Sequence, residues 1–217
     1  EECTTGHRHP LTPRAPRAPL ILDTPTPRPC LDRRVRIAVV GLGMGGAALA
    51  CLLGDDGHDV TVLEQATDPR PVGAGIWLQS LGLTVLDRLG LLDELRASSR
   101  EVSRVRIETA SGRALLDLSY DVAPGAVPAL GVHRGTLFSL LHREVAARGI
   151  PVELGVAVTG VRPTPGGVAV ETAHGDHGAY DLVVGADGSR SRVRWSLDVT
   201  VRDRPYEYGA LWSIVED

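Results

Sequence analysis

Aromatic side chains are scarce in this chain, with one Phe, three Trp and four Tyr making up 4% of its residues. Too few rings are present to build the stacking platform that holds single-stranded nucleic acid. The formal net charge of −4 likewise gives no basic field to attract a phosphate backbone. Cysteine is just as sparse: Cys3, Cys30 and Cys51 are odd in number and lack metal-ligand spacing. That excludes a disulfide framework and a metal cluster, and it suits a reducing cytoplasm. Leu20-Ile21-Leu22 falls far short of the apolar core of a signal peptide. An uncharged run from Ile37 to Gly54 covers 18 residues, but its five glycines and a strand-to-helix switch argue against a membrane span. No Gly-x-Ser-x-Gly elbow surrounds Ser189 or Ser191, so no hydrolase nucleophile follows.

What is present is apolar content of 43% over 217 residues, enough to bury a core in one large domain or one and a half small ones. Residues 1–34 differ in kind. They carry seven of the fifteen prolines and six arginines, and read as a disordered Pro/Arg-rich tail. No Met begins the chain, which leaves its true N-terminus open.

The most informative stretch is Val35-Arg36-Ile37-Ala38-Val39-Val40-Gly41-Leu42-Gly43-Met44-Gly45-Gly46. A β-branched apolar run enters a glycine turn, which opens into an alanine/leucine helix ending near Leu53. A second apolar strand ends at Glu64, 23 residues after Gly41, with Gln65 beside it. This is a βαβ unit shaped for a dinucleotide. Gly41 permits the sharp turn, Gly43 lets a pyrophosphate approach the backbone, and Gly46 lets the helix pack closely on the sheet. Unpaired N–H groups of the first helical turn, around Leu42 to Met44, favour phosphate oxygens. Glu64 is placed to accept from ribose hydroxyls and to repel a 2′-phosphate, so FAD or NAD suits this site better than NADP.

Further along, apolar spacing predicts helices over 78–89 and 91–97, and an amphipathic helix over 136–148 ended by Gly149 and Pro151. Alternation over 102–109 predicts a half-buried strand, with Ser111-Gly112 as the turn to a partner over 114–120. Residues 124–128 read as a loop. Strands are predicted over 152–154, 156–161, 168–172 and 180–184. Pro165-Gly166-Gly167 reads as a turn, and His174-Gly175-Asp176-His177 as a hairpin loop rather than a metal site. Such a β-meander in a parallel sheet is unlike the repeated βαβαβ of simple dehydrogenases. The last motif, Asp181-Leu182-Val183-Val184-Gly185-Ala186-Asp187-Gly188, is a strand running into a small-residue turn. Asp187 can reach ribose or ribitol hydroxyls while the backbone at Gly188 stays close, although an Asp-Gly pair taken alone is simply a good turn. Arg190, Arg192 and Arg194 read as a solvated helix face, with a phosphate-facing role for one of them as the alternative.

The glycine turn with Glu64, the Gly73-Ala74-Gly75-Ile76 segment, His133-Arg134 before a helix, and Gly185-Ala186-Asp187-Gly188 occur in the order of one family. From Arg34 to Asp217 the chain resembles the N-terminal half of the FAD-dependent aromatic hydroxylases of the para-hydroxybenzoate and salicylate hydroxylase type. The resemblance implies an α/β fold. It is a Rossmann-like, glutathione-reductase-like FAD-binding domain with a β-meander, interleaved with a substrate domain. It further implies that Gly41, Leu42, Gly43, Met44 and Gly46 cradle the FAD pyrophosphate, and that Glu64 and Gln65 hold the adenosine ribose. Arg134 matches an arginine near the flavin side, Val158 a backbone contact to adenine, and Asp187 and Gly188 a motif tied to FAD and NAD(P)H. Gly73 stands where some hydroxybenzoate-type members carry an arginine, which leaves substrate and pyridine-nucleotide details open.

The expected activity is that of an NAD(P)H- and dioxygen-dependent monooxygenase acting on an aromatic or polyketide-like small molecule. The flavin carries the chemistry, so no acid, base or nucleophile is assigned. Residues 203–217 read as the start of the substrate sheet, with a strand over 206–214, and the chain as a truncated N-terminal portion. An exposed, half-built core predicts aggregation or a homodimer. Two alternatives stand beside this reading: a nucleotide-binding remnant without turnover, and an NAD-dependent dehydrogenase suggested by Glu64 alone.

Overall fold

The computed structural model describes residues 34–71, 73–120, 129–200, 202–204, 207 and 209. The Pro/Arg-rich stretch up to residue 33, the loop at 124–128 and nearly all of the strand expected over 206–214 lie outside these residues. In chain order, β1 (Arg36–Val40), α1 (Met44–Asp55) and β2 (Asp59–Glu64) form the opening βαβ unit. Then come β3 (Gly75–Leu78), α2 (Ser80–Arg88), α3 (Leu92–Ala97), β4 (Arg100–Val102), β5 (Arg104–Glu108) and β6 (Ala114–Ser119). After them lie β7 (Ala129–His133), α4 (Arg134–Ala147) and β8 (Val152–Leu154). The last elements are β9 (Val158–Thr164), β10 (Gly167–Thr172), β11 (Gly175–Tyr180), β12 (Leu182–Gly185) and α5 (Arg192–Ser196).

Strands β12, β1, β2 and β8 lie side by side in that order, every pair parallel. The apolar run of β1 is unbroken because both of its faces are covered. Ile37 and Val39 point into a cluster with Cys51 of α1 and Leu141 of α4, while Ala38 and Val40 meet Val158, Val161 and Val170. Those last three belong to the antiparallel meander β9-β10-β11, which therefore covers the sheet face opposite the helices. The α/β Rossmann-like domain with a β-meander is the architecture observed.

Four local expectations need correction. The stretch 180–184 is two strands meeting at Asp181, not one. There the chain leaves the antiparallel meander for the parallel sheet, and Asp181 secures the junction. Its Oδ2 accepts from the Arg36 N–H and its Oδ1 from the Arg36 guanidinium, both at 2.9 Å. The segment Gly175-Asp176-His177 is strand rather than loop, because its register with β10 supplies ladder hydrogen bonds that its glycines disguise. Helix α4 starts at Arg134, earlier than the residue 136 expected, since the His133 Nδ1 caps it by accepting from the Gly135 N–H at 3.2 Å. Finally, β5 is not half-buried along its length. Val105 pairs with Leu118 and Ile107 with Leu116, making one apolar hairpin face, yet Ile107, Leu116 and Leu118 stay exposed because neither core cluster reaches them.

One sheet was not anticipated. Strands β3 and β4 pair antiparallel on either side of β7, so Gly75-Ile76-Trp77 is strand where only a connecting segment was read. Leu78, expected to open a helix over 78–89, closes β3 instead, and α2 starts at Ser80.

Candidate dinucleotide-binding site

The glycine turn sits at the carboxyl end of β1, between β2 and β12. Gly41 adopts φ +103°, and a Cβ there would stand 2.6 Å from the Ala186 carbonyl oxygen, so both conformation and space demand glycine. The turn is tied on both sides: the Gly41 N–H donates to Leu63 O and the Ala186 N–H to Val40 O, each at 2.8 Å. A Cβ on Gly46 would lie 1.9 Å from the Gly41 carbonyl oxygen, so α1 backs directly onto the turn. Gly43 differs, because a Cβ built on it meets nothing within 4 Å. As the N-cap of α1 it faces open space. No side chain caps that helix, and no acid lies in its first turn. The first-turn N–H groups and the positive end of the dipole thus suit an anion.

A cavity of about 360 Å³ opens beside this turn, within the range of small-molecule sites. Of the residues expected to bind cofactor, Gly41, Gly43, Glu64, Gln65, Val158 and Asp187 line it together. Leu42, Met44 and Gly46 are not part of the lining: Leu42 is buried, and Met44 packs on the helical core. Gly188 follows Asp187 in a left-handed turn at φ +78°. Arg134 stands elsewhere, at the start of α4 beside Gly73, with its N–H on the Ala74 carbonyl at 2.9 Å. Two arginines read as a solvated face, Arg190 and Arg192, line the cavity instead. Their proximity depends on how the short loop after β12 folds back, which no periodicity in the sequence reports.

Glu64 does more than the sequence implied. Its Oε2 accepts from the Leu42 N–H at 2.7 Å and its Oε1 from the Ala66 N–H at 2.8 Å. The carboxylate braces the glycine turn while each oxygen keeps a further lone pair for a hydroxyl. Asp187 is similarly divided. Its Oδ2 accepts from the Arg192 and Val193 N–H groups at 2.6 and 3.2 Å, capping the start of α5, whereas its Oδ1 is buried without a partner. A buried carboxylate oxygen without a partner is uncommon, and here it belongs to a residue that lines the cavity.

The donor set therefore fits a dinucleotide: phosphate-seeking backbone N–H groups and two arginines, carboxylates for hydroxyls, and apolar Leu63, Val156 and Val158 for a base. Among the described residues no group of three or more His, Cys, Asp or Glu gathers to hold a metal. His177 instead pairs its Nε2 with Glu153 at 2.9 Å. Among those residues, too, no helix is long and apolar enough to cross a membrane.

Fold and cavity together define a dinucleotide-binding domain built on a four-stranded parallel sheet and a β-meander. The family described as FAD binding domain matches residues 34–215, and the chain belongs to that family. It is 40% identical over 186 residues to 3-amino-4-hydroxybenzoate 2-monooxygenase of Streptomyces cremeus, covering 81% of this chain and 44% of that protein. It is 35% identical over 172 residues to 6-hydroxynicotinate 3-monooxygenase of Pseudomonas fluorescens, covering 77% of this chain and 44% of the relative. The fold is shared with the tetrameric form of 2-methyl-3-hydroxypyridine-5-carboxylic acid oxygenase, at a TM-score of 0.66 and 27% identity, over 77% of this chain and 43% of that one. The chain thus spans less than half the length of these relatives. FAD is the cofactor of the family, and the relatives are monooxygenases, which leaves the dehydrogenase alternative without support.

Proposed function

We propose that this chain provides the FAD-binding domain of an NAD(P)H-dependent monooxygenase that hydroxylates a small, electron-rich aromatic or heteroaromatic ring. The observation that carries the reading is the convergence of Gly41, Gly43, Glu64 and Asp187 on one cavity, although Glu64 and Asp187 lie far apart in sequence. The two named relatives act, by their names, on hydroxylated ring acids, which supports the substrate class.

In this reading the pyrophosphate lies over Gly43 at the start of α1, the adenosine ribose meets Glu64, and adenine rests near Val158. Arg190 and Arg192 add positive charge on the same wall. Bound there, FAD would supply the redox chemistry by which NAD(P)H and dioxygen hydroxylate the ring. The protein's part is to hold the dinucleotide end rigidly: Glu64 pins the Leu42 N–H, and Asp187 pins the start of α5. Arg134 is proposed to approach the flavin side, and Met44, Gly46 and Gly188 to shape the backbone around the phosphates.

Titrating the purified chain with FAD, read by flavin fluorescence and the visible spectrum, tests this reading. Saturable quenching that ADP reverses is the expected result. Flavin that stays free in solution, with no competition by ADP, overturns it. A cytoplasmic location and self-association belong to the same proposal; the tetrameric relative supports the latter, and light scattering checks it.

A further inference from the structure

His142 lies on α4, a hundred residues from the glycine turn and outside every motif that marks the site, yet its Nε2 stands 2.9 Å from the Leu42 carbonyl oxygen. We propose that His142 is a positioning residue that aims the Gly43 N–H at the diphosphate. The inference rests on the dinucleotide reading of the cavity given above.

The geometry works through the planarity of one peptide. The Leu42 carbonyl and the Gly43 N–H belong to the same peptide unit, and no cis peptide occurs among the described residues, so the two groups point in opposite directions. Holding the carbonyl toward α4 therefore turns the Gly43 N–H away from α4, and Gly43 lines the cavity. The preceding peptide is held independently, because the Leu42 N–H donates to Glu64 Oε2 at 2.7 Å. Leu42 thus has one peptide plane locked by a carboxylate and the next by an imidazole. A carbonyl acceptor requires the proton on Nε2, which sets the tautomer. The ring itself is held: Phe138, one helical turn earlier, stacks on it with centroids 3.7 Å apart and planes tilted 34°.

A glycine turn needs such a lock. Gly43 has no side chain, and a Cβ built on it meets nothing within 4 Å, so no side chain of its own restrains the peptide that precedes it. With the peptide free to flip, a carbonyl oxygen would face the phosphates in place of an N–H for part of the time. Binding then loses the fraction of molecules in the wrong orientation.

Binding of FAD, ADP and adenosine to the wild-type chain and to His142→Leu and His142→Gln tests the role. Leucine removes the donor, whereas the glutamine amide can place an N–H near the position of Nε2. His142→Leu is expected to weaken FAD and ADP by about fivefold to tenfold, the worth of one neutral hydrogen bond. Adenosine, which lacks phosphate, should bind both variants as it binds the wild type, and His142→Gln should recover most of the ADP affinity. A purely structural role would weaken adenosine alongside ADP and would lower the melting temperature in step. That outcome overturns the proposal, as does a leucine variant that binds ADP normally or a glutamine variant as poor as leucine. If leucine unfolds the chain, His142→Asn, whose amide is too short to reach Leu42, takes its place. A wild-type chain that ignores all three ligands overturns the cavity reading and the positioning role together. A wild type that binds ADP beside indifferent variants overturns the positioning role alone.

Discussion

The contact between Gly46 and the Gly41 carbonyl yields the sharpest test of the turn. A Cβ on residue 46 would stand 1.9 Å from that oxygen, 3.1 Å from its carbon and 3.3 Å from the Ala186 Cβ. The first two obstacles are backbone, and the Gly41 N–H is tied to Leu63 at 2.8 Å, so no side-chain rotation relieves the clash. Gly46→Ala must therefore push α1 off the turn or bend the turn toward the cavity. Overpacking of this severity costs about 3 kcal/mol, offset by about 1 kcal/mol of improved helix propensity, leaving about 2 kcal/mol of destabilisation. For a domain of this size that lowers the melting temperature by roughly 4–8 °C. FAD affinity should fall by at least about tenfold, since the displaced backbone is the phosphate cradle. Gly45→Ala, one residue earlier, is the control of opposite sign. Nothing lies within 4 Å of its Cβ, so alanine there should raise the melting temperature by roughly 2–3 °C through helix propensity alone. Circular dichroism melts of the two variants, with FAD fluorescence titrations, decide the matter. Two variants that melt alike would refute the close-packing argument.

Other perturbations follow from the same structure. Glu64→Gln offers one acceptor oxygen where two backbone N–H groups now bond, so one of them loses its partner at a cost of about 1–3 kcal/mol. FAD binding should weaken about tenfold or more, and the preference for ADP over its 2′-phosphorylated analogue should shrink; a titration that shows neither counts against the brace. Glu94 accepts two N–H bonds from the Arg143 guanidinium at 2.7 Å, which hold its carboxyl below the ordinary carboxylate value. A lowered folded-state value means this contribution is complete above 4.5 and is lost as acid protonates the group. The melting-temperature gap between wild type and Glu94→Gln should accordingly close as pH falls from neutral to well below 4.5, and a gap that widens contradicts the sign. Cys51 is fully buried and burial pushes its thiol up, so mass spectrometry after alkylation of the native chain should find it unmodified until the protein is unfolded.

The parts of the fold legible in sequence are those whose signal is local. The β1–α1–β2 unit announces itself because a doubly covered strand must be continuously apolar and its turn must be glycine. The meander shows through its Pro165-Gly166-Gly167 turn and β-branched runs. What stayed hidden is what depends on distant partners. Strand β3 is four residues long and pairs with β7 more than fifty residues later, with Gly131 interrupting the partner's pattern. The glycines of β11 have low strand propensity, and only register with β10 overrides that. In the candidate site, the glycines and Glu64 were legible from spacing and residue chemistry, whereas Asp187-Gly188 taken alone reads as a turn and stood out only through the resemblance. The second tasks of both carboxylates were not legible, since bracing Leu42 and capping α5 are set by backbone direction. Arg190 and Arg192 sit in a run that looks like any solvated helix start, and His142 lies in a helix with no motif.

The pairing of β1 with β12 has a consequence for synthesis. Arg36 and Asp181 meet across 145 positions, and the cavity draws on residues from both sides of that seam. On the ribosome, β1 therefore emerges long before its outer neighbour exists, and waits with an unpaired edge that favours promiscuous strand addition. No nascent chain shorter than about Arg192 can close the cavity walls, so nucleotide capture is a signal that the sheet has been completed. Supplying flavin during expression should then rescue yield chiefly by trapping finished sheets, since a ligand that binds only the native form draws the folding equilibrium toward it.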